Sequence, residues 1–116
     1  MATLLTVTPL LPAGPSLADG LRFYKEQLGF VITWQGGEMA GVRRGSVAFN
    51  LVQNSNPEWA ENASASIGVD DLDAMYREYQ GVAATVGALE LKSWGRREFH
   101  MVLPSGVCLQ FYQVTS

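Results

Sequence analysis

Ser16-Leu17-Ala18-Asp19-Gly20-Leu21-Arg22-Phe23-Tyr24 reads as the start of a helix, and Asp70-Asp71-Leu72-Asp73-Ala74-Met75-Tyr76 reads the same way half a chain later. In each, a capping side chain (Ser16, Asp70) stands three residues ahead of an acid (Asp19, Asp73) that suits the positive end of the helix dipole. Leu17, Leu21, Tyr24 and Leu28 then fall along one stripe, and Leu72, Met75, Tyr76 and Tyr79 repeat it. Gly20 costs the first helix about 1 kcal/mol relative to Ala. Gly29 and Gly81 are placed to stop the two helices.

Around these helices the sequence alternates, one segment before each and three after. The chain therefore reads as two tandem βαβββ units, about 4–53 and 64–113, joined by a polar linker of about 54–63 within one domain, 1–116. Side chains switch faces at every strand residue, so the pattern assigns two faces. Leu5 and Val7, then Val47, Phe49 and Leu51, then Ala65, Ile67 and Val69, then Phe99, Met101 and Leu103, and finally Val107, Leu109 and Phe111 form an apolar face. Opposite them stand Thr6 and Thr8; Ala48, Asn50 and Val52; Ser64, Ser66 and Gly68; Glu98, His100 and Val102; and Cys108, Gln110 and Tyr112. This second face is small and polar, with few of the Lys and Glu residues usual on a solvated surface, although a plain solvated face would look similar. The expected fold class is α+β, with curved mixed sheets carrying helices on one side and a cavity on the other. Gly36-Gly37, Arg44-Gly45 and Pro104-Ser105-Gly106 supply the turns.

Composition narrows the function. A chain of 116 residues, 47% hydrophobic, can bury a real core, while each half alone would be marginal. A net charge of −3 provides no basic stripe, so nucleic acid is not an expected partner. The single cysteine, Cys108, rules out an intramolecular disulfide and a Cys-rich zinc site. No long apolar run and no basic-then-apolar start are present, so no membrane partner and a cytoplasmic location are expected.

Ala18-Asp19-Gly20-Leu21-Arg22-Phe23-Tyr24, Leu28-Gly29-Phe30, Val69-Asp70-Asp71-Leu72-Asp73 and the stretch from Phe99 to Phe111 occur in this order across nearly the whole chain. Together with the repeat, they resemble the vicinal oxygen chelate superfamily, which includes glyoxalase I, extradiol dioxygenases and the fosfomycin and bleomycin resistance proteins. Thr8-Pro9-Leu10-Leu11-Pro12 looks most like the bleomycin resistance branch, whose members bind and sequester a drug without transforming it. In the superfamily's enzymes, the first and last strands of the units hold a divalent metal. By motif those positions fall on Thr8, Ser64, Asn50 and Gln110. None is His, Asp or Glu, and neutral hydroxyls and amides do not offset the dehydration of a divalent cation, so neither a metal nor another cofactor is expected.

The expected function is metal-free binding of a small organic molecule, similar to the bleomycin resistance proteins. Asn50, His100, Gln110 and Tyr112 would line the cavity, Trp94 would cap it, and Arg96 and Glu98 would contribute charge at its rim. His100, the only histidine, reads equally as a ligand contact or an inert strand residue, with a general base as a third reading. Trp59 lies in the polar linker as a binding wall or a dimer contact, and a homodimer is expected. No nucleophile or metal accompanies His100, so no catalytic residue is assigned. The alternative is a glyoxalase- or dioxygenase-type metalloenzyme with an atypical ligand set or with His100 as base.

Overall fold

The computed structural model describes residues 1–114. Ser16 caps the first helix where the sequence places the cap, its hydroxyl accepting from the Asp19 amide at 3.2 Å. Helix α1 (Leu17–Arg22) then widens into a π-type turn over Phe23–Gln27 and ends at Gly29, whose φ of 81° favours glycine. Leu17, Leu21, Tyr24 and Leu28 are all buried. In the second unit the cap is Asp71 rather than Asp70. Helix α3 (Leu72–Glu78) begins one residue later than the acid pattern suggests, so the extended residue just ahead of it, Asp71, accepts from the Ala74 amide at 3.0 Å.

A second cap follows the repeat more closely than the acids do. Gln53, the last residue of one strand, accepts from the Leu17 amide at 3.0 Å, and Gln113, its counterpart, accepts from the Leu72 amide at 2.9 Å. Each unit's final strand thus meets one of the unpaired donors at its own helix start.

The first sheet holds β1 (Leu10–Gly14), β2 (Val31–Gly36), β3 (Met39–Arg44) and β4 (Val47–Gln53) in the order β1-β4-β3-β2, with β1 parallel to β4. Helix α2 (Pro57–Asn62) lies within the linker, capped by Asn56 and started by a proline in its first turn. The second sheet holds β5 (Ser64–Val69), β6 (Thr85–Val86), β7 (Glu90–Leu91), β8 (Arg97–Val102) and β9 (Cys108–Gln113). Its order is β5-β9-β8-β6, with β5 parallel to β9 and β7 also on β8. The strand that follows α3, at the edge of this sheet, is thus split into two short pieces on either side of residues 87–89.

The apolar parity holds from β4 onward: Phe49, Leu51, Ile67, Phe99, Met101, Leu103, Val107, Leu109 and Phe111 are buried in one core with the helix stripes of both halves. Arg44 ties the halves together, donating to the Leu28 carbonyl at 2.8 Å, the Tyr79 hydroxyl at 3.0 Å and both Glu78 carboxylate oxygens at 2.6 and 3.0 Å. The first strand departs from the sequence reading. It begins at Leu10, and the segment around Leu5 and Val7 forms no strand and leaves Leu4, Leu5 and Val7 exposed. The Pro9 carbonyl still accepts from the Asn50 amide at 2.9 Å, but Pro9 has no N–H of its own to extend the ladder. No helix among the described residues is long and apolar enough to cross a membrane.

Candidate functional site

The open face of the second sheet is built on β8 and β9. Register places Glu98 beside Tyr112, His100 beside Gln110 and Val102 beside Cys108, with Ser66 and Gly68 of β5 completing the row. Glu98 is fully buried although it points to this open side. The loop ahead of β8 folds back over it, turning at Gly95 with φ of 88° and closed by the Gly95 amide donating to Lys92 O at 2.9 Å. This delivers Trp94 Nε1 and Arg96 Nε to one Glu98 oxygen at 2.8 and 2.7 Å, while His100 Nε2 lies 2.8 Å from the other.

Burial alone would raise the Glu98 carboxyl, but the hydrogen bonds from Trp94, His100 and Arg96 outweigh it and pull it down to about 2. Because the carboxylate stays ionised, His100 Nε2 carries the hydrogen and Nδ1 is left as an acceptor when the ring is neutral. The same loop sets the aromatic groups. The Trp94 and His100 rings are nearly parallel, 16° apart with centres at 6.4 Å. The Arg96 guanidinium lies 3.9 Å above the Tyr112 ring. Tyr112 in turn rests on Gly68, where a Cβ would come 3.1 Å from its hydroxyl.

Six of the sequence candidates therefore meet in one cluster: Trp94, Arg96, Glu98, His100, Gln110 and Tyr112. Gln110 accepts from the Ser66 hydroxyl at 3.2 Å. Glu98 is the buried anchor of this cluster, and Trp94, 60% exposed, is its outer wall. Asn50 lies apart, on the open face of the first sheet opposite Gly41. Trp59 lies on α2, half-buried, on neither sheet. Cys108 shares the open face of β9, but burial pushes its thiol up against a smaller opposing effect of the Gln110 hydrogen bond, so no ready thiolate stands beside His100.

Neither Trp34 nor Arg43, both on the open face of the first sheet, is among the residues the sequence assigned to the site. Trp34 lies flat over Gly41, where any Cβ would collide with the indole. Arg43, two residues along the same strand, is exposed between Val31 and Ala48. The signal available was Gly41 itself, a glycine inside a strand, which often marks a close approach.

The donor set does not fit a divalent metal. Thr8 stands outside the sheet, register places apolar Leu10 opposite Asn50, and Ser66 faces Gln110 and is bonded to it. The one carboxylate–imidazole pair, Glu98 and His100, is turned inward on itself, and no group of three His, Cys, Asp or Glu side chains gathers among the described residues. Two clefts lie away from these faces. One, of about 600 Å³, runs between Phe30, Val47, Ile67, Phe111 and α3, and the other, of about 300 Å³, lies between α1 and the Leu103–Ser105 turn.

No protein-family model matches the chain, and no curated protein matches it in sequence. Solved structures do match. The bleomycin-binding protein of bleomycin-producing Streptomyces verticillus, determined with copper(II)-bleomycin, aligns at TM-score 0.89 and 27% identity, covering 99% of this chain and 100% of that one. The bleomycin resistance determinant encoded on the transposon Tn5 aligns at 0.84 and 26%, covering 97% and 100%. A glyoxalase / bleomycin resistance protein from Catenulispora acidiphila shares the fold at 0.75 and 21%, again covering 97% and 100%.

Proposed function

We propose that this chain, whose fold is that of the vicinal oxygen chelate superfamily, binds and sequesters a small organic molecule without a metal, in a cup that two copies of the chain complete. The observation that carries this reading is the Glu98 anchor, which holds Trp94, Arg96 and His100 in fixed orientations on an open sheet face. Side chains ordered in advance lose little freedom when a ligand arrives, which is what a binding surface needs. The structural neighbours that bind bleomycin support the same class of activity.

The second copy is called for by what one chain leaves uncovered. Leu10, Val31 and Trp34 on the first sheet and Trp94 and Val102 on the second are exposed on the open faces, apolar groups that a second copy would take out of water. β1 and β5 are outer strands of their sheets, each with one unpaired edge, and the exposed apolar segment of Leu4, Leu5 and Val7 precedes β1 with no strand partner among the described residues. A homodimer covers all three, bringing Asn50 of one copy toward the His100 cluster of the other and using Leu5 and Val7 as a strand across the interface. Such a protein works in the cytoplasm by lowering the free concentration of its ligand.

The alternative, His100 acting as a general base, draws on its bond to Glu98. It lacks a nucleophile or electrophile beside the ring, so binding is the better reading. Sedimentation equilibrium should return twice the chain mass of 12.6 kDa, and removal of residues 1–8 should shift the species toward monomer. A calorimetric ligand screen should give binding that neither zinc addition nor chelation alters. Binding that appears only after metal is added, or turnover of the bound compound lost in His100→Ala, would replace this function with the enzymatic one.

A further inference from the structure

We infer that the molecule held in this cup is planar and carries an acidic group, which Arg43 meets while Trp34 stacks on the ring beside it. This rests on the small-molecule reading above and names the charge class of its ligand. On the second sheet the charges cancel in pairs, Glu90 with Lys92 at 2.9 Å and Glu98 with Arg96 at 2.7 Å. On the first sheet the Arg43 side chain is exposed and, among the described residues, forms no hydrogen bond and no ion pair, although its backbone is paired within the sheet. The two open faces together therefore carry one uncompensated positive charge, in a chain whose net charge is −3.

The surroundings of Arg43 say what it would meet. In register it stands between Val31 and Ala48, neither of which offers a polar partner, so its guanidinium fork is free to take both oxygens of a carboxylate, sulfonate or phosphate. Two residues along β3, Gly41 leaves the backbone bare and the Trp34 indole lies across it, 43% exposed. A flat ring on that indole would place a substituent within reach of Arg43, and Asn50, opposite Gly41, adds a neutral donor and acceptor. A cationic ligand would meet a like charge there with no acid near to offset it.

Three compounds that share one ring and carry substituents of similar size but different charge test this by titration calorimetry: 2-naphthoate, 2-naphthamide and 2-naphthylmethylammonium. The naphthoate should bind about fivefold more tightly than the amide, the size expected of an ion pair open to water on one side. The ammonium should bind most weakly. Arg43→Gln should erase the advantage of the naphthoate and leave the amide unchanged, whereas Trp34→Ala should weaken all three alike. An ammonium that binds as tightly as the naphthoate, or a naphthoate advantage that survives Arg43→Gln, overturns the charge assignment and leaves the small-molecule function standing. Failure of all three to bind, with the dimer intact, counts against both.

Discussion

Glu98→Gln changes the charge of the site's anchor while barely changing its shape. In the native protein one carboxylate oxygen accepts from Trp94 and Arg96 and the other from His100. The amide keeps one acceptor and turns the other into a donor, so His100 has to release its Nε2 hydrogen to stay bonded and Arg96 loses its counter-ion. The fall of the Glu98 carboxyl from 4.5 to about 2 corresponds to about 3 kcal/mol favouring the ionised folded protein. Arg96 is 40% exposed, so water screens part of this, and a loss of about 2 kcal/mol near neutral pH is expected. The folded value lies below the unfolded one, so this stability is complete above about pH 4.5 and is lost as the pH falls toward 2. Urea denaturation followed by circular dichroism across that range should show the native protein and Glu98→Gln converging in acid. Glu78 and Glu90, also lowered by basic partners, titrate in both proteins and cancel from the difference. A variant as stable as the native protein at neutral pH, or a gap that persists unchanged in acid, would refute the anchor.

Phe99→Ala, on the packed face, should cost about 3 to 5 kcal/mol in the same melts, whereas His100→Ala, its neighbour on the open face, removes one bond to the Glu98 carboxylate and should cost less, about 1 to 2 kcal/mol; the reverse order would mean that the sheet is inside out. Asp71→Ala should cost about 1 kcal/mol through the lost cap, and Asp70→Ala about 0.5 kcal/mol or less. Equal losses would return the cap to Asp70.

The apolar parity of Phe49, Phe99, Met101, Leu109 and Phe111 was legible because a strand half-buried on a core leaves a period of two in its own residues. The stripe from Leu17 to Leu28 was legible for the matching reason at helical period. Leu5 and Val7 misled because alternation records what a strand could bury and not whether a neighbouring strand is there to pair with it. Glu98 was placed on the correct face, but its burial depends on Trp94 and Arg96 folding back, and a loop that turns over a strand leaves no periodic trace. Asn50 and Gln110 occupy equivalent places in the repeat, yet a repeat does not say whether two equal surfaces face each other, and within one chain they belong to separate sheets. Arg43 stayed invisible because an arginine reads as a surface residue until its neighbours are known to be Val31 and Ala48.

Gln53 and Gln113 carry a consequence for the order of events during synthesis. The amide of Leu17 finds its glutamine 36 residues further along the chain, and that of Leu72 finds its own 41 residues further. As the polypeptide leaves the ribosome, Ser16 and Asp71 can cap their helices at once, but the Leu17 and Leu72 amides stay with water until the last strand of each unit has emerged, so the docking of helix on sheet comes late in each half. The second docking is the more exposed to error. A ribosome that stalls just short of Gln113 withholds the cap of Leu72, the strand partner of Val69 and the donor that meets the Asp70 carbonyl at 2.6 Å, all at once. The product would be an open second half beside a first half that is marginal without it, since the two share one core and the Arg44 contacts to Glu78 and Tyr79.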